Sequence, residues 1–196
     1  GGEFIATGEF QDPATSWGNG TEATGAAISI TNNNSYAKNV TLNIEGGTFF
    51  SKNGYAVYES DTESQSGSAL STEGISISGG SFKGAQDDDL FSKNDTNFVT
   101  KGEFNNPVDA KYLDNDLLFE VNNHGTYTYY DTFENAFKAA ENGAEIKGVA
   151  EGLDKPHYTI IIDPANGGAV TTYTVPSGSV IPLYTPGKSG YAFLGW

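Results

Sequence analysis

The chain contains no cysteine, no methionine and no arginine. Without cysteine there is no disulfide, no thiolate metal site and no thiol nucleophile. Such a chain is compatible with export from a bacterium that does not rely on disulfides. Without methionine the sequence does not include its own start codon, so it reads as a mature product or a piece of something longer. The ten basic residues are all lysine, against 25 acidic ones, for a formal charge of −15. Arginine is the planar fork that grips phosphate and carboxylate at two points. Its absence from so acidic a chain argues against nucleic acid or nucleotide as a partner. The charge reads instead as a solubilising outer surface. No apolar run approaches the length of a membrane-spanning helix, and no basic-then-apolar leader stands at the start; membrane insertion is not expected.

What the 196 residues do contain is 25 glycines, 12 phenylalanines and 11 tyrosines, with Ser, Thr and Asn filling much of the rest. This is enough chain for one or two domains, and the mix favours strands and turns over helices. One phrase recurs. Gly-Gly-x-Phe stands at Gly1–Phe4, Gly46–Phe49 and Gly79–Phe82, with a degenerate copy, Lys101-Gly102-Glu103-Phe104. The phenylalanines lie 45, 33 and 22 residues apart, as in a coil whose turns carry loops of different length. The two inner copies follow an alternating apolar stretch, Val40-x-Leu42-x-Ile44 and Ile75-x-Ile77. Ala27-Ile28-Ser29-Ile30 is a strand of the same type, and Tyr55–Tyr58 and Leu90-Phe91 are second apolar clusters after the glycines.

The order predicts a strand with one face inward, a glycine corner, and a phenylalanine that re-enters the core. Stacking such turns about 4.8 Å apart gives a short right-handed parallel β-helix. An antiparallel sandwich with Gly-Gly at its hairpins is the competing architecture. Recurrence favours the coil, because the hairpins of a sandwich have no reason to repeat one phrase.

From about residue 105 the character changes. Leu117–Val121 and Thr126–Tyr130 read as a hairpin around Asn122-Asn123-His124-Gly125. The spacing then predicts a helix over 132–142, with Asp131 as N-cap, Glu134 completing a capping box and Gly143 as the stop. Phe133, Ala136, Phe137 and Ala140 form its apolar stripe, suited to closing the open end of the β-helix. Residues 150–157 read as a linker. Beyond it, Tyr158–Asp163, Ala169–Val175, Val180–Tyr184 and Tyr191–Trp196 read as four strands, with a turn at Asn166-Gly167-Gly168. The expected organisation is therefore β-helix repeats over 1–115, hairpin and capping helix over 116–149, linker over 150–157 and a partial module over 158–196.

That last segment resembles the Listeria–Bacteroides repeat, or InlB B-repeat, of bacterial surface proteins. The likeness rests on the strand ending in Asp163 before Asn166-Gly167-Gly168, on Thr174-Val175 with Gly178 following, and above all on Gly190-Tyr191-Ala192-Phe193-Leu194-Gly195-Trp196. It implies a small β-grasp-like spacer or contact module, here stopping before the strands that normally follow Gly-Trp. The first part is similar to the Gly-Gly-Thr-Phe β-helix repeats of large surface proteins of gut Gram-positive bacteria. Asp109–Leu113 matches their closing segment, Gly125–Thr128 their Gly-Thr-Tyr-Thr strand, and Phe133–Gly143 their capping helix. This likeness implies an adhesin-like architecture on the cell surface or cell wall.

Chemistry is harder to find. The carboxylate groups Asp87-Asp88-Asp89, Asp61 with Glu63, and Asp114 with Asp116 sit among Gln, Ser, Asn and Gly, and read as solvated loops. Glycoside hydrolysis needs instead a paired, partly desolvated set in a groove. Asp87–Asp89 and Asp61 with Glu63 are candidate calcium ligands, although no EF-hand or nonapeptide spacing accompanies them. His124 and His157 stand apart and make no ligand set. Sugars stack on exposed aromatic faces, and Trp17, Tyr55 and Tyr58 are the candidate glycan contacts, each with core packing as its alternative role. The leading reading is a non-catalytic fragment of an extracellular surface protein serving adhesion, presentation or spacing, with no cofactor. A polysaccharide-binding β-helix, calcium-assisted, and a polysaccharide-degrading enzyme are the alternatives. The partners implied are a host or environmental glycan or a surface protein.

Overall fold

Strands dominate, as the composition leads one to expect. The computed structural model describes residues 1–10, 24–32, 41–61, 74–85, 87–93, 96–150, 153, 155–183, 185, 187–192 and 195. They fall into two units, one of residues 1–115 with 125–128, the other of 116–124 with 129–196.

The first unit holds β1 (Glu3–Ala6), β2 (Ile28–Asn32), β3 (Leu42–Ser51), β4 (Val57–Asp61), β5 (Ile75–Lys83), β6 (Leu90–Ser92) and β7 (Val99–Phe104). Strands β1-β3-β5-β7 form one parallel sheet and β2-β4-β6 another. The repeated phrase sets the register: Phe4 pairs with Phe49, Phe49 with Phe82 and Phe82 with Phe104. Their rings stack at 4.9, 5.0 and 5.1 Å, tilted by no more than 13°. That spacing is close to the roughly 4.8 Å between neighbouring strands, so identical residues in register stack without strain. Phe49, Phe82 and Phe104 are buried.

The glycine pairs differ from expectation. Gly46-Gly47 and Gly79-Gly80 do not separate two strands; each lies inside one continuous strand, at an irregularity where the β3–β5 and β5–β7 registers shift. They are bulges. Gly47 and Gly80 take φ of 119° and 115°, which a side chain resists, and a Cβ on Gly80 would lie 3.1 Å from the Phe82 ring. The bulge re-aims the chain so that Phe49 and Phe82 turn inward, the role assigned to a corner.

Buried polar side chains brace successive rungs. Ser51 donates from Oγ to the Gly25 carbonyl (2.6 Å) and accepts from the Gly54 N–H (2.8 Å). Glu59, fully buried, accepts from Ser92 Oγ and from the Lys93 N–H. The Tyr112 hydroxyl both accepts from the Ser92 N–H and donates to the Ser92 carbonyl.

In the second unit, β8 (Phe119–Asn123) turns at His124-Gly125, both at positive φ, as a two-residue hairpin requires, into β9 (Thr126–Tyr130). Residues 125–128 belong with the first unit, where Tyr127 pairs with Phe104. Then come α1 (Phe133–Ala139), β10 (Glu145–Gly148), β11 (His157–Ile162) and β12 (Thr171–Pro176). β10 pairs antiparallel with β8 and parallel with β12, and β12 pairs antiparallel with β11, giving a mixed sheet β8-β10-β12-β11.

The helix is shorter than its sequence pattern, and Thr132 caps it, accepting the Asn135 N–H at 3.2 Å. Asp131 instead accepts from Asn135 Nδ2, and Glu134 pairs with Lys138 one turn on rather than closing a capping box. The helix ends at Ala139 because Ala140 is extended; Gly143 shapes the next turn. Ala136 and Phe137 are buried with Val121, Ala144, Ile146 and Val175. Val175 comes from the segment expected to be a separate module, so residues 150–157 do not divide two domains: hairpin, helix and β11–β12 share one core. Of the four strands expected there, two form; Val180–Leu183 is irregular, as are the described residues Tyr191, Ala192 and Gly195. Tyr184, Phe193, Leu194 and Trp196 lie outside the described residues. Among the described residues no helix is long and apolar enough to cross a membrane.

Candidate functional site

Strand alternation sorts the side chains of the β2-β4-β6 sheet. Val57 and Glu59 take one face with Leu90 and Ser92, and Tyr58 and Phe91 take the other. Tyr58 and Phe91 are register partners, and their rings stack at 5.0 Å and 15°. The rung is set by backbone bonds just upstream, where Ala56 and Val57 N–H groups donate to the Asp89 carbonyl at 2.8 and 3.3 Å. Tyr55 is thereby placed against both rings, 5.6 Å from Tyr58 and 5.4 Å from Phe91. Phe10 meets Tyr55 and Tyr58 edge-on, at 5.5 and 5.8 Å. Asn53 Nδ2 donates to the Thr7 and Gly8 carbonyls, tying the segment that carries Phe10 to the turn that carries Tyr55. Four aromatic rings thus form one cluster.

Two of the three candidate glycan residues meet there, but their roles differ. Tyr55 is half-buried, as are Phe10 and Phe91. Tyr58 is 2 % exposed, with Tyr55 and Phe91 against it, so it has no free face for a sugar and serves as packing. Trp17 lies outside the described residues. Sequence reasoning missed Phe10 and Phe91. Phe91 carried a usable signal, because it follows Leu90 as Tyr58 follows Val57; Phe10 carried none.

The acidic run Asp87–Asp89, expected in solvated loops, is split. Asp87 and Asp88 are exposed, whereas Asp89 is 1 % exposed. Asp89 Oδ1 accepts from the Gly84 N–H (2.7 Å) and Asn106 Nδ2 (3.0 Å), and Oδ2 from the Asn105 and Asn106 N–H groups (2.5 and 2.8 Å). It ties its own turn to the one following β7. Burial pushes its carboxyl above the usual carboxylate range, against the pull of those four donors. With both oxygens engaged by backbone and amide groups, it braces structure and is not free for acid–base work. The Asp88 carboxyl is raised by partial burial and then by Asp109. Asp114 is half-buried and Asp116 exposed; the Asp61 side chain and Glu63 lie outside the described residues. Among the described residues no three His, Asp or Glu side chains converge as metal ligands would.

In the second unit Glu120 is buried and accepts from the Tyr129 hydroxyl at 2.9 Å, and burial raises its carboxyl. His124 donates from Nε2 to the Asn142 carbonyl (3.1 Å), and half-buried His157 opens β11. Two clefts flank the helix. One of about 510 Å³ is walled by Phe137, Ile162, Tyr173 and Leu183. The other, of about 430 Å³, is walled by Phe119, Phe133, Pro176 and Val180. Lys138 is the charged group at the first, and Glu134 and Lys155 are those at the second.

Comparison of the chain with protein-family models, with curated proteins and with solved structures gave no match.

Proposed function

We propose that the chain is a non-catalytic module of a bacterial cell-surface protein, serving adhesion, presentation or spacing outside the cell. Its first unit is read as a short parallel β-helix and its second as a β-grasp-like module of one helix across a mixed sheet. The observation that carries the reading is the in-register column Phe4–Phe49–Phe82–Phe104 at 4.9–5.1 Å. The repeated phrase is thereby spent on packing, and the one acidic residue of Asp87–Asp89 that is buried, Asp89, is spent on bracing. Strands stacked along one direction make shape and surface their product. Antibodies against the chain should label intact cells of the producing organism; label that appears only after permeabilisation contradicts the proposal.

A second reading, polysaccharide binding, is favoured by the half-buried rings of Tyr55, Phe10 and Phe91, which sit together as a platform. Binding on a glycan array that falls at least tenfold in Trp17→Ala or Phe91→Ala, with and without calcium, supports it. Binding unchanged in both variants, or none, removes it.

A further inference from the structure

Asparagine is followed by glycine at four places, Asn19-Gly20, Asn53-Gly54, Asn142-Gly143 and Asn166-Gly167. The asparagine amide is among the thermolabile groups of a chain, and glycine, having no Cβ, leaves its own nitrogen unhindered for attack on that amide. The pair at 19–20 lies outside the described residues; the other three differ in what holds the glycine nitrogen. The buried Gly54 N–H donates to Ser51 Oγ at 2.8 Å, and Asn53 Nδ2 donates to the Thr7 and Gly8 carbonyls. The Gly143 N–H donates to the Thr172 carbonyl at 2.6 Å, and Asn142 Oδ1 accepts from the Thr172 N–H at 2.7 Å. The Gly167 N–H, by contrast, makes no hydrogen bond among the described residues, and a Cβ on Gly167 would meet nothing within 4 Å. Asn166 Oδ1 accepts from the Gly168 N–H at 2.8 Å, a bond that draws electrons from Cγ and steadies charge on the oxygen when a nucleophile adds. Asn166 Nδ2 donates to the Gly187 carbonyl at 2.9 Å, tying the irregular chain after Leu183 to the β11–β12 turn.

We propose that Asn166 is a modification site at which the folded chain deamidates itself, and that the conversion unties Gly187 from the turn. The Gly167 nitrogen, its proton taken by hydroxide, adds to Asn166 Cγ. The Cγ–Nδ2 bond breaks and ammonia leaves with a proton from water, closing a cyclic succinimide. Water then opens the ring at Cγ to give aspartate, or at the main-chain carbonyl to give isoaspartate with the chain rerouted through Cγ. One water is consumed and one ammonia released, with no oxidant, metal or second protein. In the aspartate product a carboxylate oxygen replaces the donor to Gly187, and the Gly187 carbonyl oxygen repels it. The β11–β12 pairing, which runs to Ile162 and Thr171, lies outside the change. This goes beyond the surface-module reading and does not rest on it.

The test holds the full chain, folded, in mildly alkaline buffer, then digests it and follows each Asn-Gly peptide by mass and by isoaspartyl methyltransferase labelling. Asn166 should convert about tenfold faster than Asn53 or Asn142, the factor that one held hydrogen bond is worth. In urea, with the chain unfolded, the three rates should converge. For the untying, a lysine-specific protease should cut after the exposed Lys188 at least threefold faster in Asn166→Asp and in Asn166→Ala than in the parent. Cutting after Lys147, in β10, should be unchanged in both. Three results overturn the proposal: Asn53 or Asn142 converting as fast as Asn166 in the folded chain, Asn166 keeping its lead in urea, or Lys188 cut at the parent rate in both variants.

Discussion

Truncating Phe82 to alanine removes the middle of the ring column. The side chain is 1 % exposed and stacks on Phe49 at 5.0 Å and on Phe104 at 5.1 Å. A buried Phe→Ala change costs about 3–5 kcal/mol, to which each lost ring pair contributes about 0.5–1.5 kcal/mol. Phe4, at the end of the column, is 44 % exposed and stacks on one ring only, so Phe4→Ala should cost about 1–2 kcal/mol. The difference, about 2–3 kcal/mol, corresponds to roughly a hundredfold in opening equilibrium. Hydrogen exchange resolved by segment should read it directly. Amides of β3, β5 and β7 should exchange about a hundredfold faster in Phe82→Ala than in Phe4→Ala. Equal protection in the two variants, or a Phe82→Ala cost below about 1 kcal/mol, would refute the stacked column as the core of this unit.

Gly80→Ala should cost about 1–3 kcal/mol in urea unfolding, since φ is 115° and the new Cβ meets the Phe82 ring. Gly46→Ala, with open space and no positive φ, should cost under about 1 kcal/mol. Thr132→Ala should lower the stability of the helical unit by about 1 kcal/mol through loss of its cap, and Asp131→Ala by less. The pH dependence follows from Asp89 and Glu120, both raised in the folded chain. A raised carboxyl contributes stability fully below its unfolded value, and that stability is lost as pH rises through the folded one. Urea midpoints should therefore increase as the pH falls from neutrality towards the ordinary carboxylate range, and Asp89→Asn should flatten the rise; midpoints that fall steadily over that span contradict the assignment.

Periodicity made the strands legible. Leu42, Ile44, Ile75 and Ile77 alternate because one face is buried, and Gly-Gly-x-Phe repeats because each copy must fit the one beside it. What the phrase did not reveal was that its glycines bulge a strand from within, where Gly47 and Gly80 lie close to the Gly2 and Gly47 carbonyls that only stacking supplies. Asp89 looked like its exposed neighbours because three of its four donor groups come from Asn105 and Asn106, 16 and 17 residues away. Thr132 displaced Asp131 as the cap by a single residue, a competition between two good capping side chains. The linker reading failed because Val175 packs with Val121 and Ala136, a contact across more than thirty residues that composition does not record. In the aromatic cluster, Tyr55 and Tyr58 were visible as aromatics, but which of them is fully buried was decided by Phe91 and Phe10.

Cysteine's absence makes one measurement unusually clean. Thr48 and Ser81 are register partners on adjacent parallel strands, whose spacing suits a disulfide, whereas Lys83 lies two residues out of step with Thr48. On mild oxidation the double variant Thr48→Cys/Ser81→Cys should close to an intramolecular bridge nearly completely, and Thr48→Cys/Lys83→Cys should stay reduced. Closure of the second pair in preference to the first, or of neither, would mean that successive Gly-Gly-x-Phe copies do not lie side by side in register.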